Sequence, residues 1–260
     1  MTQAGSTRSL RVGNLVIEAY KTTEAMGQAA AAAAAQRLRE LIASSETVGV
    51  IFATGASQMA TLNALTSIPG LPWDNLVGFH MDEYLGISDQ HRASFRRYLK
   101  DRLIDKVKMR NFYGIDGTAA DAGETCRKYA ELLRQYHPQL CLLGIGENGH
   151  LAFNDPTEAD FNDPLDIKIV SLDEQCRQQQ VNEGWFASVA EVPKRAITLT
   201  IPALLRVPCL IASVPGERKA HIVWRTLTEE ISTRCPATIM RDHSNATVYL
   251  DPASAAELPS

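Results

Sequence analysis

The 260-residue sequence lacks the features that mark several large classes of protein. No uncharged apolar run approaches the roughly 18 to 20 residues that a membrane-spanning helix needs, so no membrane partner is expected. There is no basic surplus, since 26 Lys and Arg face 30 Asp and Glu, and nucleic-acid binding is therefore not predicted. Hydrophobic residues make up 45% of the chain, which argues against a disordered protein.

Cysteine is present but shows none of the spacing that disulfide frameworks or zinc ribbons require. The five cysteines are scattered, odd in number and form no Cys-x-x-Cys pair, so neither kind of site is predicted. The amino-terminal residues also lack the apolar stretch of a secretory signal, and a cytoplasmic location is therefore expected.

What the sequence does contain is an alternation of apolar, strand-like runs with longer helical stretches. This alternation predicts a three-layer α/β/α fold with a mostly parallel, Rossmann-like sheet covered by helices on both faces. No linker or break in composition divides the chain, so residues 1–260 are expected to form one domain. Strands are predicted at 15–20, 48–53, 76–81, 140–144, 196–200, 209–214 and 246–250. Helices are predicted at 24–44, 58–67, 95–104, 122–136 and 217–227.

Proteins with such sheets bind their ligands beyond the carboxyl ends of the strands. Three loops at these ends contain candidate binding or catalytic residues. The first, Thr54-Gly55-Ala56-Ser57, lies between a strand and a helix. Small residues and a helix start suit a phosphate cradle, although a tight turn with Ser57 as an ordinary N-cap is the alternative. No lysine follows at Walker A spacing, so ATP is not indicated.

The second loop places two adjacent carboxylates, Asp82 and Glu83, after the apolar strand at 76–81. Burying a charge is costly, and desolvation would raise a carboxylate pKa toward the range that suits a general base. The alternative is that one of the two caps a turn while the other faces solvent.

The third loop, residues 144–149, matches the G-x-G-x-x-G pattern of dinucleotide-binding loops. That interpretation fits poorly, because a turn signal at 154–156 follows where a long helix should run. A site for a small polar ligand fits better. His150 lies between Asn148 and Asp155, either of which could orient its ring, and an oriented histidine is a candidate general acid or base. A purely structural histidine is the alternative.

Together these segments resemble the glucosamine-6-phosphate deaminase (isomerase) family, which is related to the 6-phosphogluconolactonases. The most specific elements are Asp-Glu-Tyr at 82–84 and Gly-His-x-Ala-Phe-Asn at 149–154. The lactonases typically have Asp-Glu-Arg and Gly-His-x-Ala-Ser there. The 54–55 loop and the segments at 192–194, 216–220 and 235–239 also match, so the resemblance covers most of the chain.

The resemblance implies that a hexosamine phosphate is isomerised from aldose to ketose with loss of ammonia, giving fructose 6-phosphate from glucosamine 6-phosphate. Asp82 then corresponds to the carboxylate that moves a proton from C2 to C1, and His150 to the residue that opens the sugar ring. Asn148 and Asp155 occupy the positions that orient His150. No metal and no organic cofactor is implied.

The resemblance also assigns the rest of the site. Lys219 matches a phosphate-binding lysine, and the first loop matches the phosphate loop. The other residues expected around the substrate or its phosphate are Thr54, Gly55, Ala56, Ser57, Glu83, Gly146 and Gly149.

The chain departs from the best-known family pattern, which has Asp in place of Asn148 and Glu in place of Asp155. The shorter Asp155 could therefore need a water molecule to reach His150. Residues 171–192 are a candidate mobile lid, since Gly184 and the polar run at 178–180 permit movement. Arg177 is a candidate to complete the phosphate site.

Three alternatives stay open: a galactosamine-6-phosphate deaminase, a 6-phosphogluconolactonase, and a sugar-phosphate sensor without turnover. Tyr84 and Phe153 argue against the lactonase, and retention of Asp82 and His150 argues against the sensor. The expected partner is a small hexosamine phosphate, and a homo-oligomer is compatible with the sequence.

Overall fold

The computed structural model describes residues 5–259, which form eleven strands and seven α-helices. The strands are β1 (Arg8–Val12), β2 (Leu15–Ala19), β3 (Val48–Phe52), β4 (Leu76–His80), β5 (Asp82–Tyr84), β6 (Asn111–Tyr113), β7 (Leu140–Leu143), β8 (Ile167–Ser171), β9 (Arg195–Leu199), β10 (Leu210–Val214) and β11 (Ala246–Leu250). The helices are α1 (Thr23–Ile42), α2 (Met59–Ser67), α3 (Phe95–Arg102), α4 (Ala122–Tyr136), α5 (Glu174–Asn182), α6 (Ile201–Leu205) and α7 (Ala220–Thr228).

Eight strands form the central sheet in the order β1-β2-β11-β10-β7-β3-β4-β6. Every neighbouring pair is parallel except β1 with β2, which is an antiparallel hairpin at one edge. The predicted mostly parallel sheet is therefore confirmed. Since parallel strands end on the same side, the loops after β3, β4, β7 and β10 meet at one edge.

Alternate residues of the central strands enter two separate buried clusters, one on each face of the sheet. Ile51 and Phe79 belong to the cluster that includes residues of α4 and α7, whereas Val50 and Phe52 belong to the cluster that includes α1 and α2. Both faces are thus covered, which confirms the three-layer architecture.

The alanine-rich stretch of α1 packs closely against α2. Ala30 and Ala34 are fully buried, and a Cβ added at Gly27 would lie 2.6 Å from the Cβ of Ala60. Small side chains therefore let the two helices approach each other. Thr22 caps the start of α1 by accepting a hydrogen bond from the Ala25 amide.

A second, three-stranded antiparallel sheet, β5-β9-β8, is present in addition to the central sheet, and the sequence did not predict it. The strand predicted at 196–200 exists as β9, but it pairs with β5 and β8 rather than joining the central sheet. Asp82 and Glu83, expected in a loop, lie on β5. The chain crosses from one sheet to the other at Met81, whose carbonyl accepts a hydrogen bond from the Leu199 amide.

Among residues 5–259, no helix has both the length and the apolar character that crossing a bilayer requires.

Candidate active site

A cavity of about 430 Å³ lies at the carboxyl ends of β3, β4, β7 and β10. Its size falls in the range of about 300 to 1,000 Å³ that is typical of small-molecule sites. The lining includes loop and helix-start residues after the central strands, Asp82 of β5, and three residues from the segment around α5. These residues are Thr54, Gly55, Ala56, Ser57, Asp82, Gly146, Glu147, His150, Gly216, Lys219, Gln179, Glu183 and Trp185.

Two turns of the same design open onto this cavity. Gly55 and Gly216 each adopt a positive φ, of 91° and 101°, and each is followed by a short 3-10 turn that leads into α2 or α7. No side chain of the described residues caps either turn. Backbone N–H groups at the two helix starts are therefore available to an anion in the cavity.

Gln58 fixes the first of these turns against the sheet. Its side-chain amide donates to the Leu143 carbonyl at 3.0 Å and lies 3.1 Å from the Ser57 hydroxyl. A Cβ at Gly144 would lie only 3.1 Å from that hydroxyl, so the glycine makes room for the turn. The geometry of the loop at 54–57 therefore depends on Gln58 and Gly144, which are not part of that loop.

Lys219 supplies a cation on the second turn. Burial lowers its pKa, while the negative charges of Glu147 and Glu183 partly offset that effect. Arg218 lies 3.9 Å from Glu147 and is largely exposed. The predicted lysine and the predicted loop at Thr54–Ser57 therefore line one cavity, on two adjoining helix starts.

Asp82 lines the same cavity from β5 and is only 7% exposed. Burial raises its pKa well above the ordinary aspartate value, and the charge of Glu83 adds to the effect. A carboxylate with a raised pKa is a stronger base than an exposed one. The arrangement can therefore take up a proton from a ligand in the cavity.

Glu83 does not line the cavity, which corrects its predicted contact with the substrate. Its fully buried carboxylate turns to the start of α3, where Oε1 accepts from the Phe95 amide at 3.2 Å and Oε2 from the Arg96 amide at 3.0 Å. The Ser94 hydroxyl donates to Oε2 as well, at 2.9 Å. Burial still raises the pKa of Glu83 despite these donors. The side chain holds α3 against β5 and stands directly behind Asp82.

His80, two residues before Asp82, is a neutral structural group. Its Nε2 accepts a hydrogen bond from the Ile115 amide at 2.7 Å, and burial lowers its pKa to about 3. Because Nε2 accepts, the ring proton must be on Nδ1. His80 therefore fixes the end of β4 and does not exchange protons near neutral pH.

His150 lines the cavity, and its Nδ1 lies 2.9 Å from Oδ1 of the fully buried Asp155. The water-mediated contact considered from the sequence is therefore not needed. Burial would raise the pKa of Asp155, but the contact with His150 and the donors around it lower that pKa below its ordinary value. An ionised carboxylate thus holds the imidazole.

Asn148 does not bind the ring through its side chain, and it does not line the cavity. Its Nδ2 donates to Asp155 Oδ1 at 2.9 Å, and its Oδ1 accepts from the His150 amide at 3.0 Å. The amide thus orients Asp155 and the backbone of His150 at once. Its action on the histidine ring is indirect, through the carboxylate.

The two remaining predicted glycines have different surroundings. Gly146 lines the cavity, and a Cβ there would overlap the His150 ring. Gly149 lies outside the cavity lining, adopts a φ of 89°, and a Cβ there would lie 2.9 Å from the Cys235 sulfur. Gly146 leaves room for the His150 ring, whereas Gly149 allows the backbone turn behind that ring. The predicted contact of Gly149 with the substrate is therefore corrected.

The segment predicted as a lid contributes cavity residues that the sequence did not single out. Gln179 donates to Glu183 Oε1 at 2.7 Å, and Trp185 donates to Glu183 Oε2 at 3.2 Å, so the carboxylate is held in place. Arg177 is not among the lining residues, and it donates to the Val189 carbonyl. The sequence signal for Gln179 was its place in the polar run at 178–180, whereas Glu183 and Trp185 were marked only as neighbours of Gly184.

Three groups that could bind a metal ion also meet beside the cavity. His150, Asp155 and Cys176 place one ligand atom each within 4.8 Å of one another. The sequence predicted no metal site because these positions are 5 and 21 residues apart and follow no known ligand spacing. Folding α5 over the third loop brings them together.

Comparison with known proteins identifies the family of this chain. A family profile for glucosamine-6-phosphate isomerases and 6-phosphogluconolactonase matches residues 21–249. The chain belongs to this family. The resemblance drawn from the three loops is therefore confirmed, and the matched region includes every residue of the cavity described above.

Relatives named glucosamine-6-phosphate deaminase are similar over most of their length. Glucosamine-6-phosphate deaminase of an Exiguobacterium species is 35% identical over 187 residues, which are 71% of each chain. The enzyme of that name from Streptococcus thermophilus is 30% identical over 218 residues, covering 84% of this chain and 90% of that protein.

Solved structures agree with this placement. The structure of a monomeric glucosamine-6-phosphate deaminase superposes with a TM-score of 0.85 at 29% identity, covering 93% of this chain and 99% of that one. A 6-phosphogluconolactonase from Thermotoga maritima superposes with a TM-score of 0.75 at 18% identity, which shows a shared fold alone.

Proposed function

We propose that this family member converts glucosamine 6-phosphate and water to fructose 6-phosphate and ammonia. The observation that carries the proposal is that Asp82 and the Asp155-held His150 face one cavity, whose other wall offers two uncapped helix starts and Lys219. A proton-transfer pair and an anion site are thus combined in a space that suits a hexose phosphate.

Binding begins at the phosphate. The N–H groups after Gly55 and Gly216 and the Lys219 ammonium bind the phosphate oxygens, while the hydroxyls of Thr54 and Ser57 add hydrogen bonds. This fixes the far end of the sugar, so that C1 and C2 lie between Asp82 and His150. The substrate charge is neutralised locally, although the whole chain is acidic.

Chemistry then proceeds by proton transfer. His150 moves a proton at the ring oxygen and opens the pyranose, with Asp155 stabilising the charge that forms on the imidazole. Asp82 takes the C2 proton from the open-chain amino sugar and returns it to C1, so the C1–C2 bond pattern changes from aldose to ketose. Water replaces the nitrogen at C2, and ammonia leaves.

The test is a substrate panel of glucosamine 6-phosphate, galactosamine 6-phosphate and 6-phosphogluconolactone. The proposal expects equal amounts of ammonia and fructose 6-phosphate from the first, with the highest kcat/KM of the three. Lactone hydrolysis without ammonia would identify a lactonase instead. Binding of all three without any product would indicate a sensor.

Three features stay predictions from the sequence: a cytoplasmic location, self-association, and movement of residues 171–192 as a lid. The lid is supported by the fact that Gln179, Glu183 and Trp185 line the cavity, since a ligand would contact that segment directly.

A further inference from the structure

Cys176 is a buried thiol at the edge of the candidate active site, and the proposed reaction makes no use of it. It lies on α5, is 1% exposed, and its sulfur is close to the carboxylate of Asp155. Among the residues that the structure describes, Cys176, Asp155 and His150 form the one cluster of three potential metal ligands.

An independent observation is that Asp155 carries an unpartnered oxygen in this cluster. The residue is fully buried, Asn148 donates to its Oδ1, and its Oδ2 makes no hydrogen bond with any described residue. A buried carboxylate oxygen without a partner is costly. A cation bound there would satisfy it, while Asn148 would continue to orient the ligand through Oδ1.

The spacing of the donor atoms suits a small tetrahedral ion. With metal–ligand distances of about 2.0–2.3 Å, ligand atoms in such a site lie about 3.3–3.5 Å apart. The present atoms lie within 4.8 Å of one another, so no pair has to approach by more than about 1.5 Å to reach those separations. One imidazole, one carboxylate and one thiolate form a donor set that suits zinc, whereas magnesium and calcium prefer oxygen ligands alone.

We propose that His150, Asp155 and Cys176 form a zinc-binding site. Three protein ligands leave a fourth position for water or for a ligand oxygen, since His150 also lines the cavity. Bound zinc ties α5 to the third loop and occupies the imidazole and carboxylate that ring opening requires. Zinc is therefore an inhibitor of the activity proposed above. That consequence depends on the proposed function, but metal binding does not.

Cobalt(II) in place of zinc gives the direct readout, because a thiolate bound to cobalt produces a charge-transfer band in the near ultraviolet. Titration of the reduced full chain is expected to give this band at one cobalt per chain, and zinc is expected to displace it. Cys126→Ser, a matched change at a half-buried cysteine far from the cluster in sequence, is expected to keep the band. Cys176→Ser is expected to lose it, with Cys176→Ala as a second variant should the serine chain not fold.

Absence of the band in the unmodified chain, or its persistence in Cys176→Ser, would overturn the site. A second readout is ammonia release with and without one equivalent of zinc, expressed as a ratio within each variant. Zinc is expected to inhibit the unmodified chain and Cys126→Ser reversibly, and Cys176→Ser at least about tenfold more weakly. If no chain releases ammonia even without zinc, the proposed function fails, while the cobalt spectrum still decides the metal site.

Discussion

At the scale of single residues, the site depends on two aspartates that the fold treats in opposite ways. Burial and the neighbouring Glu83 raise the pKa of Asp82, whereas His150 and Asn148 keep the pKa of Asp155 low. One carboxyl is thereby prepared to accept a proton and the other to remain charged. Two carboxylates with different environments can therefore take different roles in one reaction.

The raised pKa of Asp82 predicts that its ionised form destabilises the folded chain. When the pKa of a carboxyl group is higher in the folded chain than in the unfolded chain, the folded chain loses stability as the pH rises from the ordinary aspartate range through the raised pKa. Asp82→Asn should therefore raise the melting temperature at neutral pH, while kcat falls by about 10²–10⁴-fold because the amide accepts no proton. Thermal unfolding and ammonia release measure the two effects.

Asp116→Asn is the matched control, since Asp116 is half exposed and lies outside the cavity lining. It is expected to keep its activity. An Asp82→Asn chain that melts lower, or that retains full turnover, would contradict this account of the residue.

Asn148→Asp is predicted to lower both stability and activity. The amide now donates to Asp155 Oδ1 at 2.9 Å, and a second carboxylate would replace that donor with a like charge. The expected cost is about 1–3 kcal/mol of unfolding free energy, with a lower kcat because the His150–Asp155 pair is disturbed. Asn63→Asp on the exposed surface of α2 is the control, with little expected change. Equal stability of the two variants in urea would contradict the role given to Asn148.

At the scale of elements, the small sheet carries Asp82 to the cavity, and α3 supports it from behind. Glu83 joins the two, since it accepts hydrogen bonds from the start of α3 while lying on β5. The catalytic candidate and the helix start are therefore positioned by one buried carboxylate.

Glu83→Gln separates this positioning role from substrate contact. An amide has a single acceptor oxygen, and its N–H groups would face the donors that Glu83 now accepts from. Unfolding free energy should fall by about 1–3 kcal/mol, with KM changed by no more than a few-fold in the folded fraction. A large rise in KM without loss of stability would instead place Glu83 in contact with the substrate.

The sequence predicted the central elements well and the small sheet poorly, for a physical reason. Long apolar runs such as 48–53 identify buried parallel strands, and the helices were predicted from the longer helical stretches between them. β5 is only three residues long and carries two acids, so nothing local marks it as a strand. Likewise, the sequence placed Asn148 beside His150 but could not show that the amide binds Asp155 instead of the ring. Gln179 and Glu183 were missed because α5 reaches the cavity only through tertiary packing.

At the scale of the whole molecule, a chain with a formal net charge of −4 has its proposed anion site at one sheet edge. Two helix starts and Lys219 supply positive potential at this site, so the net charge of the chain says little about the charge of the ligand. The burial of Asp82 at this edge also affects how activity depends on pH.

The pKa shift of Asp82 predicts a rise of kcat with pH across a range well above that of an ordinary aspartate. Asp82 must be ionised to act as a base, and burial together with Glu83 holds its proton to higher pH. The measurement is kcat at saturating substrate, which reports the enzyme–substrate complex, with circular dichroism to confirm the fold at each pH. A limb near the usual pKa of about 3.9 would show that Asp82 is not the titrating base.

The most direct test of the central claim follows the C2 hydrogen itself. Glucosamine 6-phosphate carrying deuterium at C2 is converted, and the fructose 6-phosphate formed is examined by NMR. If Asp82 carries the proton from C2 to C1, part of the deuterium appears at C1, and Asp82→Asn forms no such product. Release of ammonia with unchanged deuterium transfer in Asp82→Asn would contradict the account.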